Sequence, residues 1–149
     1  LAVCAGEWKC IWTIPQPCTS TTTRIIQQSS KRCSTPSASV GPNVKSPFVF
    51  QPHLYSRTRD FGPAFAKVLG QADRLFLLPI YPAREAPIPG VDAQWLFDNI
   101  SGVHKQLTTS DSIFGDLKAR SVDVLVTAGA GDIDRLVPQA LQHMRARLE

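Results

Sequence analysis

Phe48-Val49-Phe50-Gln51-Pro52-His53-Leu54-Tyr55-Ser56-Arg57-Thr58-Arg59-Asp60 is the stretch that decides the fold class. Three apolar residues run into a Gln-Pro-His loop, and beyond it Phe65, Val68, Leu69 and Ala72 fall at helical spacing. The segment therefore predicts a short strand, a loop and a helix. Residues 74–80, with Leu75-Phe76-Leu77-Leu78 in the middle, predict a strand buried on both faces. A Pro-rich loop over residues 81–90 ends it. Asp92 is placed to cap a helix containing Trp95, Leu96 and Ile100, and Ser110 or Asp111 to cap another through Ile113, Phe114 and Leu117. Residues 122–127 predict a further buried strand, stopped by Ala128-Gly129-Ala130-Gly131. The closing helix carries Val137, Leu141, Met144 and Leu148 on one stripe, with Pro138 in its first turn. This alternation predicts an α/β fold, a mainly parallel sheet with helices on both faces. Ligands of such sheets collect beyond the carboxyl ends of the strands.

Upstream of this pattern the composition changes. Residues 1–47 hold five Lys/Arg (Lys9, Arg24, Lys31, Arg32, Lys45) against the single acid Glu7, which accounts for the whole net charge of +4. The remaining 102 residues carry 11 of the 16 bases and 11 of the 12 acids, so the basicity is no argument for a nucleic-acid surface. All four cysteines (Cys4, Cys10, Cys18, Cys33), thirteen Ser/Thr and five Pro also lie in residues 1–47, and no Asp precedes Asp60. The cysteines lack metal-ligand spacing and read as free thiols; a disulfide framework would need an oxidising compartment. Apolar residues there, among them Trp8, Ile11, Trp12 and Ile14, follow neither structural period, so this leader is expected to be disordered. No apolar run is long enough to cross a bilayer and no secretory signal is legible, which predicts a cytoplasmic protein without membrane or nucleic-acid partners.

Three strings are more specific than patterning: the one quoted above from Val49 onward, then Tyr81-Pro82-Ala83-Arg84-Glu85-Ala86-Pro87-Ile88-Pro89-Gly90, then Gly129-Ala130-Gly131-Asp132-Ile133. In this order and at these separations they resemble the carboxy-terminal domain of the alanine-adding Mur ligases, the UDP-N-acetylmuramate–L-alanine ligases of peptidoglycan synthesis. The likeness covers about residues 49–149. The related recycling ligases, which attach a tripeptide, would show a string beginning Glu-Pro-Arg where this chain has Gln51-Pro52-His53. The resemblance implies a Rossmann-like domain over residues 48–149, incomplete at its start, preceded by the irregular leader 1–47.

The family pattern also has an Asp-Asp-Tyr-Ala-His-His-Pro segment upstream, and this chain lacks it. Codon arithmetic accounts for the loss. Joining the third base of each codon to the first two of the next, residues 19–29 can be read as Ile-Asp-Asp-Tyr-Ala-His-His-Pro-Thr-Glu. In the same shifted frame residues 8–13 permit Glu, then Val or Met, His or Tyr, Leu or Met, then Asp, and residues 42–48 permit Glu-Arg-Lys-Ile-Thr-Val, leading into the in-frame Val49. Residues before about Phe48 are therefore expected to be a frame-shifted reading of a Mur ligase gene, which would also explain the charge split, the stranded cysteines and the missing Asp. A native low-complexity linker would not account for the matching register.

The resemblance implies a carboxylate–amine ligation: ATP phosphorylates the muramic acid carboxylate, L-alanine attacks the acyl phosphate, and phosphate leaves, with magnesium offsetting phosphate charge. In the family the UDP-sugar and ATP sit on domains this chain does not contain; no Gly-x-x-x-x-Gly-Lys-Ser/Thr string occurs in it. ATP and Mg2+ are thus expected in the full-length enzyme, as are the substrates L-alanine and UDP-N-acetylmuramate, with none bound tightly here and with the isolated chain inactive. No catalytic or metal-ligating residue is expected in this part.

The resemblance carries the substrate-binding role to His53 and Arg57, where a guanidinium can hold the alanine carboxylate by charge-assisted hydrogen bonds. On the residues alone, His53 also reads as a loop or partly buried histidine, and Arg57 and Arg59 as solvated helix charges. Leu54 replaces an arginine often found there in the family, Arg59 and Asp60 can pair with each other, and Glu85 fits either a cleft or a structural loop. Gly129-Ala130-Gly131 lacks the third glycine of a dinucleotide loop, with Asp134 in its place, and reads as a tight turn. His104 and His143 read as surface residues. The alternative function is a non-catalytic product of a damaged gene, or a stand-alone small-molecule-binding module. Sequencing the coding DNA is expected to show bases across residues 19–29 that encode the missing segment one frame over; bases unable to do so reject the frame shift.

Overall fold

A computed structural model describes residues 2–3, 9–13, 46–118, 122, 125–129 and 131–145. Strands β1 (Ala2–Val3), β2 (Lys9–Thr13), β3 (Pro47–Gln51), β4 (Arg74–Leu77), β5 (His104–Leu107) and β6 (Leu125–Gly129) form one sheet in the order β1-β2-β6-β3-β4-β5. Neighbours β6, β3, β4 and β5 are parallel, while β1 and β2 run antiparallel. The helices are α1 (Tyr55–Leu69), α2 (Ala93–Asn99), α3 (Ile113–Lys118) and α4 (Leu136–Arg145), the last entered through a 3-10 turn, Asp132–Arg135.

Alternation along the central strands feeds two cores, one on each face. Phe48, Phe50, Leu75, Leu77 and Val126 pack with Leu69 of α1 and Leu96 of α2, and Ile100 just after α2. Val49, Phe76, Leu78 and Leu125 point the other way, onto Ile113 and Leu117 of α3, Ile133, and Leu136 and Ala140 of α4. Residues Leu75, Phe76, Leu77 and Leu78 are fully buried, each contributing about 1.5–3 kcal/mol relative to exposure. The expected α/β sheet with helices on both faces is thus the one found.

Its details differ in three places. β5 was not expected, because His104-Lys105-Gln106-Leu107 has neither an apolar run nor clean alternation. It forms as an edge strand paired only to β4 among the described residues. Lys105 secures it by donating to the carbonyls of Phe97 and Ile100 at the end of α2, its ammonium 4.4 Å from the Phe97 ring centre. Asp92 caps α2 as expected, accepting from Trp95 N–H at 2.7 Å, but ahead of α3 it is the Thr109 hydroxyl, rather than Ser110 or Asp111, that accepts a backbone N–H, that of Ser112 at 3.4 Å. Within the expected leader, β2 pairs with β6 from Lys9↔Gly129 to Thr13↔Leu125 and β1 pairs with β2. Without that pairing β6 would present an open edge. At the other end of the expected leader Ser46 is buried and Pro47 already belongs to β3, while residues 1, 4–8 and 14–45 lie outside the described residues.

Pairing continues past the carboxyl ends of β3 and β4. His53 and Tyr81 form a parallel bridge in which Tyr81 N–H donates to Pro52 O at 2.8 Å and Leu54 N–H to Tyr81 O at 2.9 Å. Gly131, at φ 114°, lies flat against the Tyr81 ring, where a β-carbon would overlap the ring atoms. Gly131→Ala therefore adds both a positive-φ strain and a clash at one position, and is expected to cost about 1–3 kcal/mol. Urea unfolding of the variant checks this; a midpoint equal to that of the unsubstituted chain would contradict the packing.

Candidate functional site

The loops beyond β3, β4 and β6 meet at the carboxyl edge of the sheet, where parallel α/β folds hold ligands. His53 follows β3, is half-buried, and stacks on Tyr81 with ring centres 5.8 Å apart and 13° between planes. Its Nδ1 is buried and has no hydrogen-bond partner among the described residues. A buried ring nitrogen in that state is costly unless something pairs with it. Arg57 is the third residue of α1 and half-buried. The structure thus brings both expected residues to the junction of β3 and α1, separated by less than two turns of chain.

Leu54 stands between them as the residue preceding α1, at φ 64° and ψ 138°. A branched residue at positive φ is strained by about 1–3 kcal/mol. It also offers no side-chain oxygen to the helix, and α1 has no acidic residue in its first turn. Thr58, fully buried, returns its hydroxyl to Leu54 O at 2.7 Å and its N–H to the same oxygen at 3.1 Å. The strained peptide is therefore held from both sides, by Tyr81 and by Thr58.

The acceptor missing from the helix start comes from another loop. Glu85 Oε2 accepts from Ser56 N–H at 3.0 Å. The Ser56 hydroxyl, then the backbone N–H groups of Ser56 and Tyr55, hold the Glu85 carboxyl below its ordinary value, and Arg59 adds a weaker attraction. Because the folded value is lowered, any stabilisation from this contact is present above the ordinary carboxylate range and lost as pH falls through the lowered value. Of the two alternatives open for Glu85, the structure favours a tie between loop and helix. Arg59 pairs with its neighbour Asp60 at 2.8 Å on an exposed surface, as expected, which contributes little.

In sequence Tyr81 and Gly131 carry no site role, Gly131 reading as part of a tight turn, whereas Glu85 fits either a cleft or a structural loop. Tyr81 was legible only as the first residue after a buried strand. Gly129, at φ 149°, packs on Gln51 O; the tight turn expected after it runs through residue 130, which lies outside the described residues. His104 is exposed as expected, whereas His143 is half-buried with its ring 5.8 Å from that of Phe114.

A shallow cleft of about 260 Å³ opens beside the start of α1, lined by Tyr55, Pro79, Ile80, Asp92, Ala93 and Gln94. His53 and Arg57 do not line it. Among the described residues no three His, Cys, Asp or Glu side chains gather as metal ligands, and the N–H groups at the start of α1 already serve Glu85. No described helix is long and apolar enough to cross a membrane.

No protein-family model matches the chain. Among curated proteins it is 45% identical over 97 residues to the UDP-N-acetylmuramate–L-alanine ligase of Flavobacterium johnsoniae, covering 65% of this chain and 22% of that protein. The enzymes of the same name from Flavobacterium psychrophilum and Christiangramia forsetii are 49% identical over 96 residues and 48% over 105, covering 64% and 68% of this chain. The chain spans about a fifth of the length of these relatives, 21% and 23% in the latter two. The strings around Gln51-Pro52-His53, Tyr81 and Gly131, which the fold draws together at one edge of the sheet, had pointed to the same proteins. Over about two thirds of its length, the chain is similar to a stretch of about a fifth of the UDP-N-acetylmuramate–L-alanine ligases.

Proposed function

We propose that residues 48–149 are the amino-acid-binding, carboxy-terminal domain of an ATP-dependent ligase that joins L-alanine to UDP-N-acetylmuramate in peptidoglycan biosynthesis. The observation that carries this is the placement of His53 and Arg57 around one strained peptide at the carboxyl end of β3, in a chain 45–49% identical to enzymes of that name. L-alanine is a small zwitterion. A guanidinium in the first turn of α1 can take its carboxylate by paired charge-assisted hydrogen bonds, and the imidazole of His53, with one nitrogen unsatisfied, can take a second polar group. ATP and magnesium belong, on this reading, to the parts of the relatives that this chain does not span, so the chain by itself binds the amino acid without turning over.

The leader 1–47 is read as out of frame. The pairing of β2 with β6 favours the second reading, a stand-alone binding module in which the leader is a native part of the sheet. Restoring the frame and supplying the missing domains separates the two: the ligase reading expects phosphate release dependent on both ATP and L-alanine, and no release would reject it. In that restored enzyme Arg57→Ala is expected to raise the L-alanine KM about 10- to 100-fold, the loss of a charged hydrogen bond of about 1.5–3 kcal/mol, with UDP-sugar binding unchanged. An unaltered L-alanine KM would remove Arg57 from the site.

A further inference from the structure

The 81–90 loop makes two attachments to the β3–α1 junction, and they differ in kind. One is the backbone bridge at Tyr81, which belongs to the sheet. The other is a single side chain, Glu85, reaching across 29 positions of sequence to the first turn of the helix that carries Arg57. The turn that presents it, closed by Glu85 N–H donating to Pro82 O at 2.9 Å, contains Ala83 at φ 53°. Leu54 and Ala83 are the only non-glycine residues at positive φ among the described residues, and they stand on the two sides of this one contact. Local strain of that sort persists only where surrounding structure over-determines it, and it clusters at sites with a function. Here the helix start has no capping side chain and no acid of its own, so the partner that satisfies it must come from outside the helix.

We propose that Glu85 is a positioning residue for the amino-acid site: its carboxylate, seated on the start of α1, fixes the first helical turn against the 81–90 loop and so sets Arg57 relative to His53 and Tyr81. This rests on the reading of His53 and Arg57 as the L-alanine-binding pair. It also assigns a selectivity to the site. The N–H groups at the start of α1 are occupied by an internal carboxylate, so the carboxylate of an incoming amino acid is left to the guanidinium of Arg57 rather than to the helix terminus. Removing the Glu85 carboxylate frees those N–H groups, and a small carboxylate such as formate is of the right size and charge to refill the place.

The test uses the full 149-residue chain, unsubstituted and as Glu85→Ala and Glu85→Gln, with amide exchange and an L-alanine titration both followed by NMR. In Glu85→Ala the Tyr55 and Ser56 amides are expected to exchange at least about tenfold faster, with Phe50 and Phe76 in the core strands unchanged, and L-alanine to bind at least about fivefold more weakly; addition of formate reverses both. Glu85→Gln, which keeps an acceptor carbonyl without the charge, is expected to fall between, and it carries the test if the alanine variant does not fold. Ser56 exchange at the unsubstituted rate overturns the contact. Faster exchange with undiminished L-alanine binding overturns the positioning role alone. Absence of L-alanine binding in the unsubstituted chain is the failure of the His53 and Arg57 reading, and the positioning role falls with it.

Discussion

Two backbone hydrogen bonds, Tyr81 N–H to Pro52 O and Leu54 N–H to Tyr81 O, extend the pairing of β3 and β4 beyond the last residues of either strand. Most of what distinguishes this edge of the sheet depends on them. They carry the chain through a Pro-containing loop without leaving it free, they bring the His53 ring over Tyr81, and they hold Leu54 in a backbone conformation that it would not adopt in isolation. Parallel strands have no hairpin to align their ends, so a loop after such a strand is placed only by what it packs on or bonds to. Here it bonds to the neighbouring loop.

From that bridge the rest of the arrangement follows by steric and electrostatic necessity. Tyr81 fixed in place leaves room for no side chain at position 131, and glycine stands there. Leu54 at positive φ ends the loop and starts α1 abruptly, which leaves the helix without a capping side chain. The loop already tied down at Tyr81 then supplies the acceptor four residues later, through Glu85. Three loops from three strands are thereby joined without a metal ligand cluster among the described residues.

The core was legible in the sequence because it obeys one rule. Apolar runs at Leu75-Phe76-Leu77-Leu78 and near Leu125 mark strands covered on both faces, and the helices between them show their stripes. Asp92 as a cap was equally legible, since its chemistry is local. β5 was not, because its residues are polar and its stability comes from Lys105 bonding to carbonyls of a different element. The antiparallel pairing of β2 was likewise hidden, since an edge strand is defined by the vacancy it fills rather than by its own period. The residues marked by a specific string, His53 and Arg57, lie at the junction of β3 and α1. The contacts of Tyr81, Glu85 and Gly131 escaped because they exist only between loops far apart in sequence, and no periodicity records such a contact.

The most direct test of this edge is amide hydrogen exchange at Leu54 and Tyr81, the two donors of the bridge. Protection comparable to that of Phe50 and Leu77 inside β3 and β4 is expected, because the same sheet cooperativity would have to open to release them. Exchange at the rate of the solvent-exposed residues of the 81–90 loop would contradict it, and would leave His53, Arg57 and Glu85 without the frame that brings them together.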